Sequence, residues 1–478
     1  MSEPSESAFD LAIIGSGGGA FSAAIRASNL GKSVVMIERG TVGGTCVNTG
    51  CVPSKALLAA ADARHIAVDS GRFPGIGTTA DPVSMPELID GKRMLVDAMR
   101  SDKYVDLIGD YGWELRHGSA VFAGTSADPI LHVTVNDRVE TVRAAHYLLA
   151  TGSAPLAPPI DGLAEAGYLT STSAMELDEV PESLLVVGGG YVALEQAQLF
   201  ARLGSKVTML VRSRLASAEE PEASRALAAV FADEGIRVVL RATVTAVRTD
   251  ATGGVIATAM VDGGQEELRG SKLLVATGRR PATDGLNLAA VGVEVGANGE
   301  VLVDRTLASS NPRIWAAGDV TGHRQFVYVA ANHGSLVVEN AFNNAGREVD
   351  YRHLPRVTFT SPALAAVGMT DKQANQSGIR CQCGVVPLEY IPRALVNRDT
   401  RGFIKIVADH DTGRIVGITA VAKDAGEIAA AGVYILEAGM TVDQVAHMWS
   451  PYLTMAEGIK IAAQSFNTDI TKLSCCAA

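Results

Sequence analysis

Residues 10–40, DLAIIGSGGGAFSAAIRASNLGKSVVMIERG, join an apolar run, a glycine turn, a small-residue segment and a second apolar run that ends on Glu38. This order predicts a strand, a helix and a second strand, the βαβ arrangement that binds dinucleotides. Gly15 permits the tight turn, Gly17 lets the backbone approach a pyrophosphate, and Ala20 keeps helix and strand close together. Glu38 is placed to accept a hydrogen bond from a ribose hydroxyl.

The same pattern recurs at 183–212, SLLVVGGGYVALEQAQLFARLGSKVTMLVR, with Gly188 and Gly190 in the turn. Here the second strand ends on Arg212, with Arg214 nearby, instead of on an acidic residue. A cation at this position would bind a 2′-phosphate, so the sequence favours NADPH over NADH. The alternative is a solvated arginine just beyond a strand.

Three further short apolar runs end in glycine, as strands that line a ligand cleft do. They are HYLLATGSAP at 146–155, KLLVATGRRP at 272–281 and IWAAGDV at 314–320. Together with the two βαβ patterns they predict an α/β fold.

The segment 43–55, GGTCVNTGCVPSK, follows the first dinucleotide motif and contains Cys46 and Cys51. We expect a helix from Pro53, and a loop or irregular turn before it would let the two thiols meet as a disulfide. Close to the first nucleotide site, such a pair is placed to exchange electrons with a cofactor ring. The alternative is a pair of buried structural cysteines.

In this order the motifs resemble those of the pyridine nucleotide–disulfide oxidoreductases, FAD flavoproteins that work as homodimers, over essentially the whole chain. The resemblance implies a glutathione-reductase-like α/β fold with two Rossmann-like domains, for FAD and NADPH, and an α+β interface domain. The implied domains are the first part of the FAD domain at 1–152, the NADPH domain at 153–281, the second part of the FAD domain at 282–350 and the dimerisation domain at 351–478.

The resemblance also assigns roles to single residues. Thr45, Gly152, Arg279 and Asp319 are expected to contact the cofactor, with Asp319 at the ribityl part of FAD.

In relatives a lysine matching Lys55 pairs with a glutamate matching Glu195 beside the flavin. Of the two thiols, Cys51 would face the flavin and Cys46 would meet the substrate.

The segment 451–457, PYLTMAE, matches the place where disulfide reductases of the family carry a catalytic histidine. Thr454 and Glu457 persist, but Tyr452 takes the place of the histidine. With a reference pKa of about 10, tyrosine is a poor base at neutral pH, so a disulfide substrate would lose its proton acceptor. The alternative is that His447, five residues upstream, serves instead.

The chain ends in an adjacent pair, Cys475 and Cys476. Their Cα atoms would be about 3.8 Å apart, below the usual disulfide range, so the pair is easily kept as a dithiol.

This tail, together with Tyr452, resembles the mercuric reductase branch of the family, which reduces Hg(II) to Hg(0). The resemblance implies that Cys46 and Cys51 hold the metal and that the partner subunit's Cys475 and Cys476 deliver it. Thiolates suit so soft an ion.

Tyr104, on a predicted helix, matches a second active-site tyrosine of that branch; its alternative role is simple packing. Two other functions stay open, a disulfide reductase of the thioredoxin reductase type and a non-catalytic, metal-binding or redox-sensing flavoprotein. Cys381 and Cys383, in RCQCG, would face the same side of a strand, and we expect a structural or incidental role.

Charge and composition exclude other classes of function. A net charge of −11 argues against a nucleic-acid or anionic-membrane partner. No apolar run reaches the roughly 18 residues of a membrane span, and the acidic, polar start of the chain is unlike a secretory signal, so we expect a cytoplasmic protein.

Overall fold

The computed structural model describes residues 7–472. The strands are β1 (Ser7–Ile14), β2 (Val34–Glu38), β3 (Glu114–His117), β4 (Ser119–Gly124), β5 (Pro129–Val135), β6 (Arg138–Leu149), β7 (Ser153–Pro155), β8 (Ser183–Val187), β9 (Lys206–Val211), β10 (Arg237–Leu240), β11 (Ala242–Thr249), β12 (Val255–Val261), β13 (Gly264–Gly270), β14 (Lys272–Val275), β15 (Arg279–Pro281), β16 (Ile314–Ala316), β17 (Arg356–Thr358), β18 (Ala363–Gly368), β19 (Cys381–Pro387), β20 (Phe403–Asp409) and β21 (Ile415–Ala422).

The α-helices are α1 (Gly18–Asn29), α2 (Gly44–Asn48), α3 (Cys51–Val68), α4 (Met85–Arg100), α5 (Asp106–Tyr111), α6 (Leu163–Ala166), α7 (Ser171–Ala174), α8 (Tyr191–Leu203), α9 (Pro221–Asp233), α10 (Val327–Asn343), α11 (Asp371–Gln376), α12 (Pro392–Asn397), α13 (Ala425–Glu437), α14 (Val442–His447) and α15 (Glu457–Gln464). A π-helical turn at Ser101–Val105 joins α4 to α5.

The chain forms two compact units. The first comprises the described chain up to Ala56, Glu87–Leu156 and Gly278–Val349. The second comprises Leu57–Pro86, Ala157–Thr277 and the described chain from Asp350 onward.

The first unit contains a seven-stranded sheet in the order β3-β2-β1-β6-β5-β4, with β16 also paired to β6. The strands β3, β2, β1, β6 and β16 pair in parallel, whereas β5 pairs antiparallel with β6 and β4 pairs antiparallel with β5. Leu11, Ala12 and Ile13 of β1 are fully buried. A continuous apolar run of this kind is typical of a parallel strand covered on both faces.

The second unit contains a four-stranded parallel sheet in the order β10-β9-β8-β14 and a three-stranded antiparallel sheet, β11-β12-β13. It also contains a five-stranded antiparallel sheet in the order β17-β18-β21-β20-β19. On this last sheet, Ile404, Ile406 and Ile418 form one buried cluster with residues of α13 and α15. The predicted α/β architecture with two βαβ units is confirmed.

One predicted element is wrong. Near its end the sequence predicts helices through 424–439 and 441–466, but within 441–466 the chain forms α14 and α15 with an irregular segment, 448–456, between them. Pro451 lacks a backbone donor, and Leu453 adopts a left-handed conformation with φ of 61°. An α-helix cannot pass through such a pair. None of the helices in the described part of the chain is long and apolar enough to cross a membrane.

Candidate active site

The first glycine turn lies between β1 and α1. Gly15 has φ of +105°, and a Cβ there would lie 2.4 Å from the carbonyl oxygen of Ala150 at the end of β6. Glycine is therefore required for the turn. Gly17 precedes α1 as its N-cap, so the helix's first backbone N–H groups are not covered by a side chain. Such a helix terminus binds phosphate groups.

Glu38, at the end of β2, is fixed by two hydrogen bonds. Its Oε2 accepts from Ser16 Oγ at 2.6 Å, and its Oε1 accepts from the Gly40 N–H at 2.7 Å. The carboxylate is thereby oriented at the edge of the sheet where the glycine turn lies.

The second glycine turn, in the second unit, repeats this geometry. Gly188 has φ of +140°, and a Cβ there would lie 2.3 Å from the carbonyl oxygen of Ala276. Gly190 is the N-cap of α8. Arg212 is exposed just beyond β9, whereas Arg214 donates to backbone carbonyl groups of the loop that precedes α9. Arg212 is thus the better placed of the two arginines to bind a ligand.

The thiol pair lies on two helices of the first unit, Cys46 in α2 and Cys51 at the start of α3. The helix starts two residues earlier than the predicted Pro53. Both side chains are half-buried thiols. They share a hydrogen bond, which together with burial raises the pKa of Cys46, while the charge of Lys55 acts in the opposite direction. The two thiols are therefore in contact as free cysteines, and their pairing as a disulfide stays a prediction.

Tyr104 lies in the π-helical turn and is half-buried. Its ring packs edge-to-face on Phe21, with the ring centroids 4.8 Å apart. Burial raises the pKa of Tyr104, and the nearby Cys46 and Cys51 raise it further. The structure thus brings Tyr104 close to the thiol pair. π-helical turns of this kind are frequent at functional sites.

A hydrogen-bonded group of three side chains connects β7, β15 and the Gly318–Thr321 turn. Ser153 Oγ donates to Asp319 Oδ2 at 2.7 Å, and Arg279 donates to both Ser153 Oγ and the Ser153 carbonyl. Burial lowers the pKa of Arg279, whereas Asp319 and Cys51 raise it. The guanidinium group is therefore within electrostatic range of the thiol pair.

His333, on α10, supports the same turn. The side chain is fully buried, and its Nδ1 accepts a hydrogen bond from the Gly318 N–H at 3.2 Å. Burial, and then the neighbouring His323, lower the pKa of His333 to about 4. The imidazole is neutral at neutral pH, as an acceptor of a backbone N–H must be.

Tyr452 lies in the segment between α14 and α15 and is 48% exposed. Glu457 is buried, and its Oε2 accepts a hydrogen bond from the Leu453 N–H at 3.1 Å. Thr454 Oγ1 in turn accepts from the Glu457 N–H at 3.2 Å. His447, the alternative base, is exposed, and its Nδ1 lies 2.8 Å from the carbonyl oxygen of Asp443.

Lys55 and Glu195 belong to different units. Lys55 Nζ donates to Ser54 Oγ at 3.3 Å, and Glu195 accepts from the Phe359 N–H at 2.9 Å. Their mutual pairing stays a prediction. Cys475 and Cys476 lie outside the described residues.

Comparison with known proteins identifies the family. The family model described as pyridine nucleotide-disulphide oxidoreductase matches residues 9–334, and the dimerisation domain of that family matches 354–463. The chain belongs to the pyridine nucleotide-disulphide oxidoreductase family. The match to the dimerisation domain indicates a homodimer.

Several members of this family are similar over nearly the whole chain. A protein named mercuric reductase from Streptomyces lividans is 58% identical, over 98% of this chain and 98% of its own. Another mercuric reductase, from Bacillus cereus, is 46% identical over 98% of this chain and 73% of its own. Among solved structures, the HOCl-induced flavoprotein disulfide reductase RclA from Escherichia coli, as a Cu(II) complex, has a TM-score of 0.85 and 28% identity, covering 96% of this chain and 99% of that one.

FAD and NADPH are the cofactors of the pyridine nucleotide-disulphide oxidoreductases. The residues present fit both, since each glycine turn offers an uncovered helix terminus for a pyrophosphate. A further observation concerns Thr151, next to Gly15. Its buried hydroxyl has no hydrogen-bond partner among the described residues, and a polar cofactor atom would satisfy it.

Four residues that shape the site of this family member were not predicted from the sequence. They are Ser16, Phe21, Ser153 and His333. Ser16 and Ser153 lie inside the motifs quoted above. Their hydroxyl groups, which can donate to the predicted cofactor-binding carboxylates Glu38 and Asp319, were the available signal. For the other two the sequence offered no signal, because each acts through a contact with a residue far along the chain.

Proposed function

We propose that this protein is an NADPH-dependent flavoenzyme that reduces Hg(II) to Hg(0). The observation that carries the proposal is the dithiol of Cys46 and Cys51, with the two thiols in mutual contact beside Tyr104, in a chain 58% identical to a mercuric reductase. Two thiols in contact suit a soft ion that binds two thiolates.

In the proposed reaction Cys46 and Cys51 bind Hg(II) as thiolates. A flavin held at the first glycine turn would supply the two electrons, and a nicotinamide nucleotide held at the second would be their source. Gly15, Gly17, Ala20, Glu38, Thr45, Gly152 and Asp319 would hold FAD. Gly188, Gly190 and Arg212 would hold NADPH.

The hydrogen bond with Cys51 and burial raise the pKa of Cys46, and positive charge near the dithiol acts against that rise. Lys55 supplies one such charge, and Cys51 stands at the amino-terminal end of α3, where the helix dipole stabilises a negative charge. Arg279 adds a further positive charge within electrostatic range of Cys51. Loss of both thiol protons leaves two sulfur ligands for the metal.

Two tyrosines, Tyr104 and Tyr452, would flank the metal. The partner subunit's Cys475 and Cys476 would deliver Hg(II) by ligand exchange, because two tethered thiols raise the local ligand concentration wherever the tail reaches. We place the reaction in the cytoplasm, whose reducing environment keeps such dithiols reduced.

The test is the rate of NADPH oxidation by the FAD-loaded dimer with Hg(II) and an excess of a small thiol. We expect Hg(II) to stimulate NADPH oxidation and Hg(0) to form. If Hg(II) gave no stimulation while glutathione disulfide or oxidised thioredoxin was reduced efficiently, the enzyme would be a disulfide reductase instead.

A second experiment tests the delivery step separately. Replacing both Cys475 and Cys476 by alanine should slow turnover of thiol-bound Hg(II) while leaving NADPH oxidation by an artificial dye unchanged. Unchanged turnover of thiol-bound Hg(II) would exclude delivery by the tail.

A further inference from the structure

A second pair of thiols lies on the edge strand of the five-stranded sheet in the second unit. Cys381 and Cys383 are the first and third residues of β19, so their side chains leave the same face of the strand. The opposite face carries Gly384 and Val386, which are buried against the core. This pair is therefore not part of the core cluster.

The two thiols are in contact with each other. A side-chain hydrogen bond joins Cys381 and Cys383, and Cys381 Sγ also donates to the carbonyl oxygen of Asp371 at 3.7 Å. Cys383 is exposed and Cys381 is half-buried, so a solute can reach the pair from solvent. Burial nevertheless raises the pKa of Cys383 to about 12. The uncomplexed Cys383 thiol therefore stays protonated and reacts slowly with oxidants.

The charged groups next to the pair are paired with one another through Lys405. Lys405, on the neighbouring strand and 1% exposed, is 2.9 Å from Asp371, 3.0 Å from Glu220 and 3.4 Å from Glu222. Its ammonium group attracts a thiolate at Cys383, whereas Asp371 repels one. Next to this ammonium group and these carboxylates, the sulfurs of Cys381 and Cys383 are the soft ligands.

We propose that Cys381 and Cys383 form a second binding site for a soft, two-coordinate metal ion such as Hg(II). Within residues 7–472 no group of three or more histidine, cysteine, aspartate and glutamate side chains could hold a metal ion. The pair therefore does not supply the tetrahedral ligand set that Zn(II) prefers. Two thiolates in contact match an ion that is satisfied by two soft ligands.

Binding is a ligand exchange without oxidation or reduction. Two Hg–S bonds to a small thiol break and two Hg–S bonds to Cys381 and Cys383 form. The protons of the two cysteines pass to the departing thiolates. Because the two protein thiols are tethered, they outcompete monothiols at the same concentration.

The test uses the full FAD-loaded chain with Cys46, Cys51, Cys475 and Cys476 all changed to serine, which leaves Cys381 and Cys383 as the remaining two of six cysteines. Without NADPH and without oxygen, Hg(II) is added with an excess of a small monothiol, and the metal that stays with the protein after gel filtration is counted. We expect one Hg(II) per chain and no Zn(II) in a parallel sample. A further Cys383→Ser change should lower retention by at least about tenfold, because chelation is lost.

The matched control is Gln382→Ser, which changes the exposed residue between the two thiols and should retain the metal. No bound Hg(II) in the four-serine protein, or equal retention after Cys383→Ser, would overturn the proposal. Equal retention of Zn(II) would overturn the two-coordinate assignment.

Should the four-serine protein fail to fold, the double variant C381S/C383S of the native chain must bind one Hg(II) fewer than the native chain does. Since no turnover is measured, failure here is distinct from failure of the proposed reductase activity.

Discussion

The carboxylate of Glu457 accepts a hydrogen bond from the backbone N–H of Leu453, which has a left-handed conformation. In disulfide reductases of this family a glutamate stands just beyond the catalytic histidine. Here the corresponding carboxylate is buried and bonds to the backbone next to Tyr452. It fixes the irregular segment that carries the tyrosine.

We expect Glu457→Ala to displace that segment and to lower kcat/KM for Hg(II), because the Leu453 N–H loses its acceptor. A hydrogen bond to a charged group is worth about 1.5–3 kcal/mol, which corresponds to roughly tenfold or more. Electron transfer from NADPH to a dye should not change. The control is Glu437→Ala, an exposed glutamate on α13, which should turn over Hg(II) normally. Normal Hg(II) turnover by Glu457→Ala would refute a role for this contact.

The phenol of Tyr104 can be tested without losing its packing. Tyr104→Phe keeps a ring against Phe21 but removes the hydroxyl beside the dithiol. Because the raised pKa keeps this phenol a neutral donor at neutral pH, we expect kcat/KM for Hg(II) to fall by roughly tenfold, or about 1.4 kcal/mol. FAD content should stay the same. Tyr111→Phe, which changes a tyrosine stacked on Trp113, is the control and should have wild-type kinetics.

The buried His333 makes stability depend on pH. Its pKa falls from 6.5 to about 4 on folding, so the unfolded chain binds a proton below about pH 6.5 and the folded chain does not. The free energy of unfolding should therefore decrease as pH drops from about 6.5 to about 4, by up to about 3 kcal/mol.

His333→Asn keeps an acceptor for the Gly318 N–H and removes the titration. The decrease in Tm between pH 7 and pH 5 should become smaller in this variant. It should stay at the wild-type size in His132→Asn, which changes an exposed histidine. An unaltered pH dependence in His333→Asn would show that another group is responsible.

Nucleotide preference depends on Arg212. Arg212→Ala should raise the KM for NADPH and leave the KM for NADH nearly unchanged, because the lost charge-assisted hydrogen bond concerns the 2′-phosphate alone. Arg237→Ala, at another exposed arginine of the same unit, should keep the preference. Steady-state kinetics with both nucleotides measure the ratio, and an unchanged ratio would exclude Arg212 as the 2′-phosphate ligand.

Because position 15 requires glycine, replacing Gly15 should weaken flavin binding. A Cβ at Gly15 would overlap the carbonyl oxygen of Ala150, so Gly15→Ala should bind FAD poorly and have a lower Tm. Gly91→Ala, in α4 with no atom within 4 Å of the added Cβ, should bind FAD normally and be as stable or slightly more stable. Equal flavin content in the two variants would contradict the close approach.

The parts of the site that the sequence predicted are local ones. Both glycine turns, the contact between Cys46 and Cys51 and the shared face of Cys381 and Cys383 follow from spacing within one element or one loop. The break between α14 and α15 was missed, although Pro451 within it was a signal against a continuous helix. The irregular conformation also involves Leu453, whose left-handed backbone cannot be predicted from a leucine side chain.

Contacts between residues far apart along the chain could not be predicted either. Ser153 bonds to Arg279 and to Asp319, and each of these two residues lies more than a hundred positions from Ser153 along the chain. His333 reaches a turn on a separate element. No periodicity records which side chains meet across a sheet, so such contacts require the three-dimensional structure.

The π-helical turn at Ser101–Val105 has a consequence for how relatives should be compared. It places one extra residue in the helical path between α4 and α5, and each residue of a helix turns its side chain by about 100°. The direction of Tyr104 is therefore determined by the number of residues in this turn as well as by the identity of the residue. A relative that keeps the tyrosine but has a regular α-helix there would point its phenol away from the thiols.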